Sequence, residues 1–229
     1  MYNQRELPLE EKKALKSIED QLKKPFMKSG AWIKGQPTFS TKNNNVVVLN
    51  FGAFNITDIQ PVGQLTQLKE LDLCSTGVSD LSPLQNLKKL EELGLRSTAV
   101  SDLSPIERLT NLKKLWLKDT KVTEIKPVRN LRNLQHLELW NTPISTVAPL
   151  RNLENLQILD IQGTNVSDLI PLKNHSNLRV LDIRNTNVHS LAPLTSLKKL
   201  QWVGLEGVMN AKDHKVVNSL KRRGISLHL

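Results

Sequence analysis

Leucine and its aliphatic substitutes return along most of this chain with a period of 22 residues. The stretch Leu112 to Asn133, LKKLWLKDTKVTEIKPVRNLRN, is followed without insertion by LQHLELWNTPISTVAPLRNLEN (Leu134 to Asn155) and LQILDIQGTNVSDLIPLKNHSN (Leu156 to Asn177). Six close copies start at Leu68, Leu90, Leu112, Leu134, Leu156 and Leu178, with a degenerate copy before them at Val46 and a truncated one opening at Leu200. Their shared pattern is L-x-x-L-x-L-x-x-T-x-V-x-D-L-x-P-L-x-x-L-x-x. Repetition on this scale marks a solenoid, whose units bury their apolar faces only by stacking on one another.

Each part of the pattern predicts a piece of structure. Leu115 and Leu117 alternate with Lys114, Trp116 and Lys118, which predicts a short strand with its leucines inward. Strands related by a whole repeat must run parallel, so they form one sheet along the solenoid. Position 9 is Thr in six copies (Thr76, Thr98, Thr120, Thr142, Thr164, Thr186), where a buried turn needs hydroxyls to satisfy backbone groups. Position 16 is proline from Pro61 through Pro193, which excludes a central strand there and fits the first residue of a short 3₁₀ turn on the return side.

The ends differ. Residues 8–24 place Leu9, Ala14, Leu15, Ile18 and Leu22 on one helical face, with Glu10 and Glu11 near the start and Lys23 and Lys24 near the end. This predicts a helix covering the first repeat. Residues 25–45, rich in Pro, Gly, Ser, Thr and Asn, read as a partly packed connection anchored by Trp32 and Phe39. After the last copy, Asn210 to Gly224 reads as a helix capped by Asn210 and stopped by Gly224, followed by a last strand over Ile225 to Leu229. The expected division is thus an N-terminal cap and connection over 1–45, repeats over 46–208 and a helix-strand cap over 209–229.

The repeat resembles the leucine-rich-repeat family in its short 22-residue form, as found in internalins and in the leucine-rich regulatory subunits of protein phosphatases. Thr rather than Asn at position 9 departs from the commonest form of that family. The resemblance implies an α/β solenoid, a leucine-rich-repeat horseshoe. It would have a parallel concave β-sheet, a 3₁₀ or irregular convex side and helical caps at both ends. It also implies a concave surface used to bind another protein.

Charge refines that expectation. The 229-residue chain carries +10 overall, but residues 1–45 and 207–229 each hold +4 and the repeats between them only +2. If the strand leucines point inward, positions 3, 5, 7 and 8 face the concave side. There they hold eight acids (Glu70, Asp72, Glu92, Asp119, Glu138, Asp160, Asp182, Glu206) and four bases (Arg96, Lys114, Lys118, Arg184), so that face is expected to be acidic, near −4. A polyanion would be repelled from it. Trp116 and Trp140, two positions apart on adjacent strands, are expected to touch, and His136, Ile158, Val180 and Trp202 form a neighbouring row. Aromatics ringed by charge are the usual anatomy of a binding hot spot. Trp116, Trp140 and Trp202 are therefore assigned as anchors among Lys114, Lys118, His136 and Glu138, with Asp160, Asp182 and Arg184 setting orientation. The competing assignment for Ile158, Val180 and Trp202 is half-buried packing against neighbouring strands.

Catalytic patterns are weak. Cys74 lies three strands from His136, the nearest histidine on the concave face, so no base serves it. His136, His175, His189, His214 and His228 fall at unrelated repeat positions and show no metal-ligand spacing. Asp160 and Asp182 read as the one adjacent like-charged pair, a candidate for a raised pKa or a divalent cation but more plainly for a partner's Lys or Arg. No glycine-rich phosphate loop is present, and no cofactor or metal is expected. The single cysteine, the lack of an apolar leader and the absence of an apolar run of about 18–20 residues predict a cytoplasmic chain without a membrane span, unless a signal was trimmed or delivery to a host cell uses an uncleaved one; a monomer is expected.

The expected function is a non-enzymatic protein-binding module whose partner offers a basic and apolar surface. A bacterial effector, an immunity-type inhibitor and a regulatory scaffold all fit. Two rivals stand beside it. One is an anionic-surface binder, for nucleic acid or membrane, acting through Lys12, Lys13, Lys16, Lys23, Lys24, Lys221, Arg222 and Arg223 in the caps. The other is the recognition fragment of a larger enzyme such as a leucine-rich-repeat ubiquitin ligase, against which the C-terminal cap speaks.

Overall fold

The structure is a computed structural model and describes residues 7–29, 33–208 and 214–229. Trp32 and Asn210 lie outside the described residues. One helix, α1 (Leu9–Leu22), opens the chain, and a second, α2 (His214–Arg222), lies near its end. Among the described residues, eleven strands run between and around these helices in one sheet, ordered as in the sequence. They are β1 (Met27–Lys28), β2 (Thr38–Lys42), β3 (Asn45–Asn50), β4 (Glu70–Asp72), β5 (Glu92–Gly94), β6 (Lys114–Trp116), β7 (His136–Glu138), β8 (Ile158–Asp160), β9 (Val180–Asp182), β10 (Trp202–Gly204) and β11 (Ser226–His228).

The expected fold class is observed. From β3 to β10 every pairing is parallel and advances one repeat at a time, so Leu71, Leu93, Leu115, Leu137, Leu159 and Leu181 stand in one row. That row is buried throughout. On the return side, seven 3₁₀ turns run from Gln60–Gln64 to Ala192–Ser196, each with proline in its first two residues. The aspartate at position 13 has a part in them: Asp58, Asp80, Asp102 and Asp168 each accept a 2.8 Å bond from the backbone N–H two residues on, at the turn's start. A side-chain acceptor here ties down a turn donor that has no partner within the turn.

The threonine row is present, and its bonds run within each repeat rather than between repeats. Each hydroxyl donates to the carbonyl three residues back, as Thr120 Oγ1 does to Leu117 O at 2.7 Å. One residue earlier, position 8 sits at positive φ in every copy, including Ser75 (57°), Asp119 (55°), Asn141 (55°) and Gly163 (66°). Together these two positions make the corner where the strand turns away from the sheet.

The N-terminal region departs from the sequence expectation in two respects. Leu9 is 64% exposed rather than part of the buried face, and Glu11, 4% exposed, points inward instead. Its carboxylate accepts the Val46 N–H at 2.7 Å, which fastens α1 to the first strand of the repeats. Residues 25–45 also carry strands: β2 and β3 form an antiparallel hairpin whose two-residue turn, Asn43-Asn44, has φ of 50° and 59°, the signature of a type I′ turn. Phe39, fully buried, meets Phe26 edge-on with centroids 6.1 Å apart. At the other end Val216, Val217 and Leu220 of α2 are buried, and β11 pairs parallel with β10.

One repeat breaks the apolar pattern. Position 20 is leucine in the other full copies and His175 here. The imidazole is 1% exposed and lies between two carbonyl oxygens, Leu172 O at 3.1 Å from Nδ1 and Leu150 O at 3.0 Å from Nε2. A neutral ring can donate to only one of them. Burial lowers its pKa despite the two carbonyls and Glu154, which act the other way.

Two consequences can be measured. Replacing Thr120 by Val removes a donor from the Leu117 carbonyl and should lower stability by about 1–2 kcal/mol, or about 2–6 °C in Tm, read by thermal melting. Because the His175 pKa is depressed in the fold, its neutral form contributes stability at neutral pH that is lost as pH falls below about 6.5. His175→Leu, which restores the repeat pattern, should flatten the decline of Tm between about pH 7 and pH 5; an unchanged slope would show that the ring plays no part in it.

Candidate functional site

The residues left facing outward by the strand alternation define the concave face. Trp116 lies on β6 directly opposite Glu138 of β7, so Trp140, two residues beyond Glu138, is its diagonal neighbour. The two indoles do not form the expected pair. Trp116 instead meets His136 edge-on at 5.8 Å, and Arg96 lies over its ring at 5.4 Å. Trp140 is covered by the Lys118 ammonium at 3.6 Å. Trp202 stacks on His228 at 6.4 Å and receives Arg184 at 5.9 Å. In all three cases the cation comes from position 7 of the preceding repeat. A cation over an indole face is worth about 0.5–1 kcal/mol at an exposed site, and none of the three tryptophans is more than partly exposed.

Most of the assigned charges are already matched within the chain. Arg96 reaches across β6 and holds Glu138 with both carboxylate oxygens, at 2.9 and 2.6 Å. This leaves Glu138 only 8% exposed. Arg184 grips Asp182 in the same fashion, at 2.9 Å to Oδ1 and 2.6 Å to Oδ2, and donates to Gln162 at 2.9 Å. Lys114 pairs with Glu92 at 2.7 Å, and Lys118 lies 3.8 Å from Asp119. His136 is kept below its ordinary pKa by burial. So Glu138, Asp182 and Arg184 are joined in pairs inside the chain and are not open charges.

Glu70, Asp72 and Asp160 have no ion pair among the described residues. Asp160 stands in register between Glu138 and Asp182. Burial, and then those two carboxylates, push its pKa up to about 6 against the opposing bond from the Gln162 N–H. The sequence reading of Asp160 and Asp182 as the one adjacent like-charged pair is corrected by the register: Glu138 and Asp160 are directly opposite, and so are Glu70 and Glu92. Partial desolvation, followed by Glu92, likewise holds the Glu70 carboxyl above its ordinary range.

Glu70 and Asp72 open onto a hollow of about 210 Å³ whose other walls include Cys74, Glu92, Arg96 and Trp116. Gly94 makes the room: a Cβ there would lie 2.9 Å from Asp72 Oδ1 and 3.0 Å from Cys74 Sγ. Burial and the Asp72 carboxylate push the Cys74 thiol up to about 12, so it stays protonated and is a poor nucleophile. Sequence reasoning placed the anchors further along the face and did not assign Glu70, Asp72 or Gly94 to a site. The signal that could have found them is the glycine at position 5 beside the two acids. No group of three metal-ligating side chains occurs among the described residues.

The family model for a leucine-rich repeat region matches residues 44–168. The chain belongs to the leucine-rich-repeat family. A search of curated proteins finds no match. Among solved structures, internalin C2 from Listeria monocytogenes is 28% identical with a TM-score of 0.71, covering 87% of this leucine-rich-repeat chain and 98% of that one. A leucine-rich-repeat protein of Leptospira interrogans is 19% identical with a TM-score of 0.70, over 86% of this chain and 61% of that one. The ectodomain of a plant membrane receptor kinase from Arabidopsis thaliana, in complex with CASPARIAN STRIP INTEGRITY FACTOR 2, is 23% identical with a TM-score of 0.65. It covers 72% of this chain, which spans only 23% of it. The last two likenesses show the fold alone. Leucine-rich-repeat regions in internalins and receptor ectodomains are protein-interaction modules. No helix among the described residues is long and apolar enough to cross a membrane.

A raised carboxylate pKa favours the fold at low pH and opposes it once the group ionises. For Asp160 the favourable contribution is complete below about pH 4 and is lost as pH rises through about 6. Asp160→Asn should therefore raise Tm at pH 7.5 by about 2–4 °C, or about 1 kcal/mol after allowing for solvent screening, and leave it unchanged at pH 4. A gain of the same size at both pH values would assign the effect to something other than charge.

Proposed function

We propose that this chain is a non-enzymatic protein-binding module that grips its partner on the concave face, with Trp116 and Trp140 as apolar anchors. The observation that supports this reading is the set of acids left without a cation on that face. Glu70 and Asp72 border the hollow beside Trp116, and Asp160 faces outward two strands away. Asp72 and Asp160 are half-buried; a half-buried carboxylate without a cation costs stability, and a Lys or Arg side chain from another protein would relieve that cost, with the exposed Glu70 adding to the attraction. The partner is accordingly one with a basic and apolar contact surface, and its cation enters the hollow. Trp202, His136, Lys114 and Lys118 frame the contact, while the Arg96–Glu138 and Arg184–Asp182 pairs hold the frame rigid. We also propose the division into an N-terminal helical cap and connecting segment over 1–45, repeats over 46–208 and a terminal helix-strand cap over 209–229, acting as a monomer in a cytoplasmic setting. The roles of effector, inhibitor and scaffold all use this one surface.

The test is comparative capture. The wild type and a Trp116→Ala, Trp140→Ala double variant are immobilised and offered a randomised peptide display library. Wild-type selections should enrich Lys and Arg beside apolar residues. The double variant should bind the selected peptides at least about 30-fold more weakly, as expected for a hot spot of about 2 kcal/mol. Equal binding by both proteins would remove the assigned site, and selection of acidic peptides would remove the assigned partner.

A further inference from the structure

The repeats sum to nearly neutral, yet their charge is sorted by position. Positions 18 to 22 of each copy and position 2 of the next form one long edge of the solenoid, where the return limb meets the start of the strand. Direct contacts tie this edge together from repeat to repeat: Glu91 bridges Lys69 at 2.7 Å and Lys113, and Lys199 donates to Asn177 at 2.8 Å. Along it stand twelve Lys and Arg against three acids, Glu91, Glu107 and Glu154, a net +9. Positions 9 to 14, on the other edge, hold one base against five acids, a net −4. The contrast has a physical basis. Four of those five acids cap 3₁₀ turns, whereas Arg132, Arg151 and Lys173 on the basic edge make no ion pair among the described residues.

One base of the C-terminal cap joins this edge. Arg223, just past α2, donates from NH1 at 3.3 Å to Thr195 O and from NH2 to Leu197 O, both in the last stretch of the same edge. With strands spaced at about 4.8 Å, the row over eight repeats is on the order of 35 Å long. No aromatic side chain lies on it among the described residues, so it offers no platform for stacking bases. It is bordered instead by an apolar side chain: Ile170 is 55% exposed, in a shallow depression it shares with Arg151, Lys173 and Asn174. Ile170 is the only large apolar residue exposed within the repeats among the described residues. An aliphatic side chain among cations gains nothing from a nucleic-acid backbone but can enter the headgroup region of a bilayer.

We infer that the basic edge, positions 18 to 22 and 2 together with Ile170, docks this protein onto an anionic lipid surface. The concave face stays free, because it lies on a different side of each strand, and its acids are repelled by the lipid. Each Lys or Arg brought close to such a surface contributes about 1 kcal/mol, and the anionic lipid that attracts it is concentrated in the cytoplasmic leaflet. Attraction of this kind is screened by salt, so only binding that survives physiological ionic strength supports the assignment.

The full chain is sedimented with vesicles of phosphatidylcholine containing about one third phosphatidylserine, with pure phosphatidylcholine vesicles, and in parallel titrated with duplex DNA, all at about 0.15 M salt. We expect binding to the anionic vesicles alone. Arg132→Glu, Arg151→Glu and Lys173→Glu together should weaken it at least about tenfold. The charge-matched variant Lys34→Glu, Lys42→Glu, Lys121→Glu should lose much less. Ile170→Ser puts the residue of two other copies, Ser82 and Ser104, at that position. It should weaken vesicle binding about threefold, with an unchanged melting curve. The Trp116→Ala, Trp140→Ala variant should bind vesicles as the wild type does, which separates this surface from the concave one. The inference is overturned by equal loss in both charge variants, by equal binding to neutral vesicles, by DNA binding as tight as vesicle binding, or by no vesicle binding at all.

Discussion

No repeat in this chain can cover its own apolar side, so everything else depends on register between repeats. From β4 onward each strand is only three residues long, and a strand of that length has no independent stability. It is held by the next copy on each side, in a pairing that places leucine over leucine from Leu71 to Leu181. A slip of one residue would turn the leucines outward and the charges inward in every repeat at once. The threonine hydroxyl, the positive-φ residue before it, the aspartate cap and the proline each fix one corner of the coil. Together they make all copies the same length and keep the register in step.

That division of labour explains why the outward positions can vary. Trp116, Trp140 and Trp202 sit at positions 5, 7 and 3 of their copies, so no structural rule of the repeat demands an aromatic at any of them. Once present, each has been covered by a cation from the preceding repeat. The concave face is therefore partly a packed layer: its rings and pairs are preorganised, which lowers the entropy lost when a partner binds. What it leaves without a cation among the described residues are Glu70, Asp72 and Asp160.

The repeat architecture was legible in the sequence because its physical cause is local and repeated. Period, proline and threonine each point to the same coil, and errors at one copy are outvoted by the rest. The N-terminal region lacked that redundancy. There the exposed Leu9 and the buried Glu11 invert the simple apolar-face rule, the inward carboxylate accepting the Val46 N–H. The hairpin turn was written in Asn43-Asn44, a short signal that the polar composition of its surroundings concealed. On the concave face the sequence supplied the row of each residue but not its partner. Arg96 reaches Glu138 across an intervening strand, 42 residues away, and side-chain reach of that kind is not encoded in spacing.

The same register that aligns leucines also aligns charge, which is why a total of +2 over the repeats is a poor guide to the surface. An acid at position 13 is spent on capping the turn, and an acid at position 5 or 3 faces the concave side, so both kinds are drawn away from the edge at positions 18 to 22. Some of the lysines there link neighbouring repeats, as Lys69 and Lys113 do through Glu91, but Arg132, Arg151 and Lys173 make no ion pair among the described residues, and leucine or His175 at position 20 and the asparagines that donate to neighbouring carbonyls already hold the edge. A neutral polar residue would serve the fold equally well, and like charges in a row repel one another. Their accumulation on one side, opposite an edge of the other sign, is therefore not a by-product of folding. It fits the lipid surface proposed for this edge, as the acids without a cation beside Trp116 fit the partner proposed for the concave face.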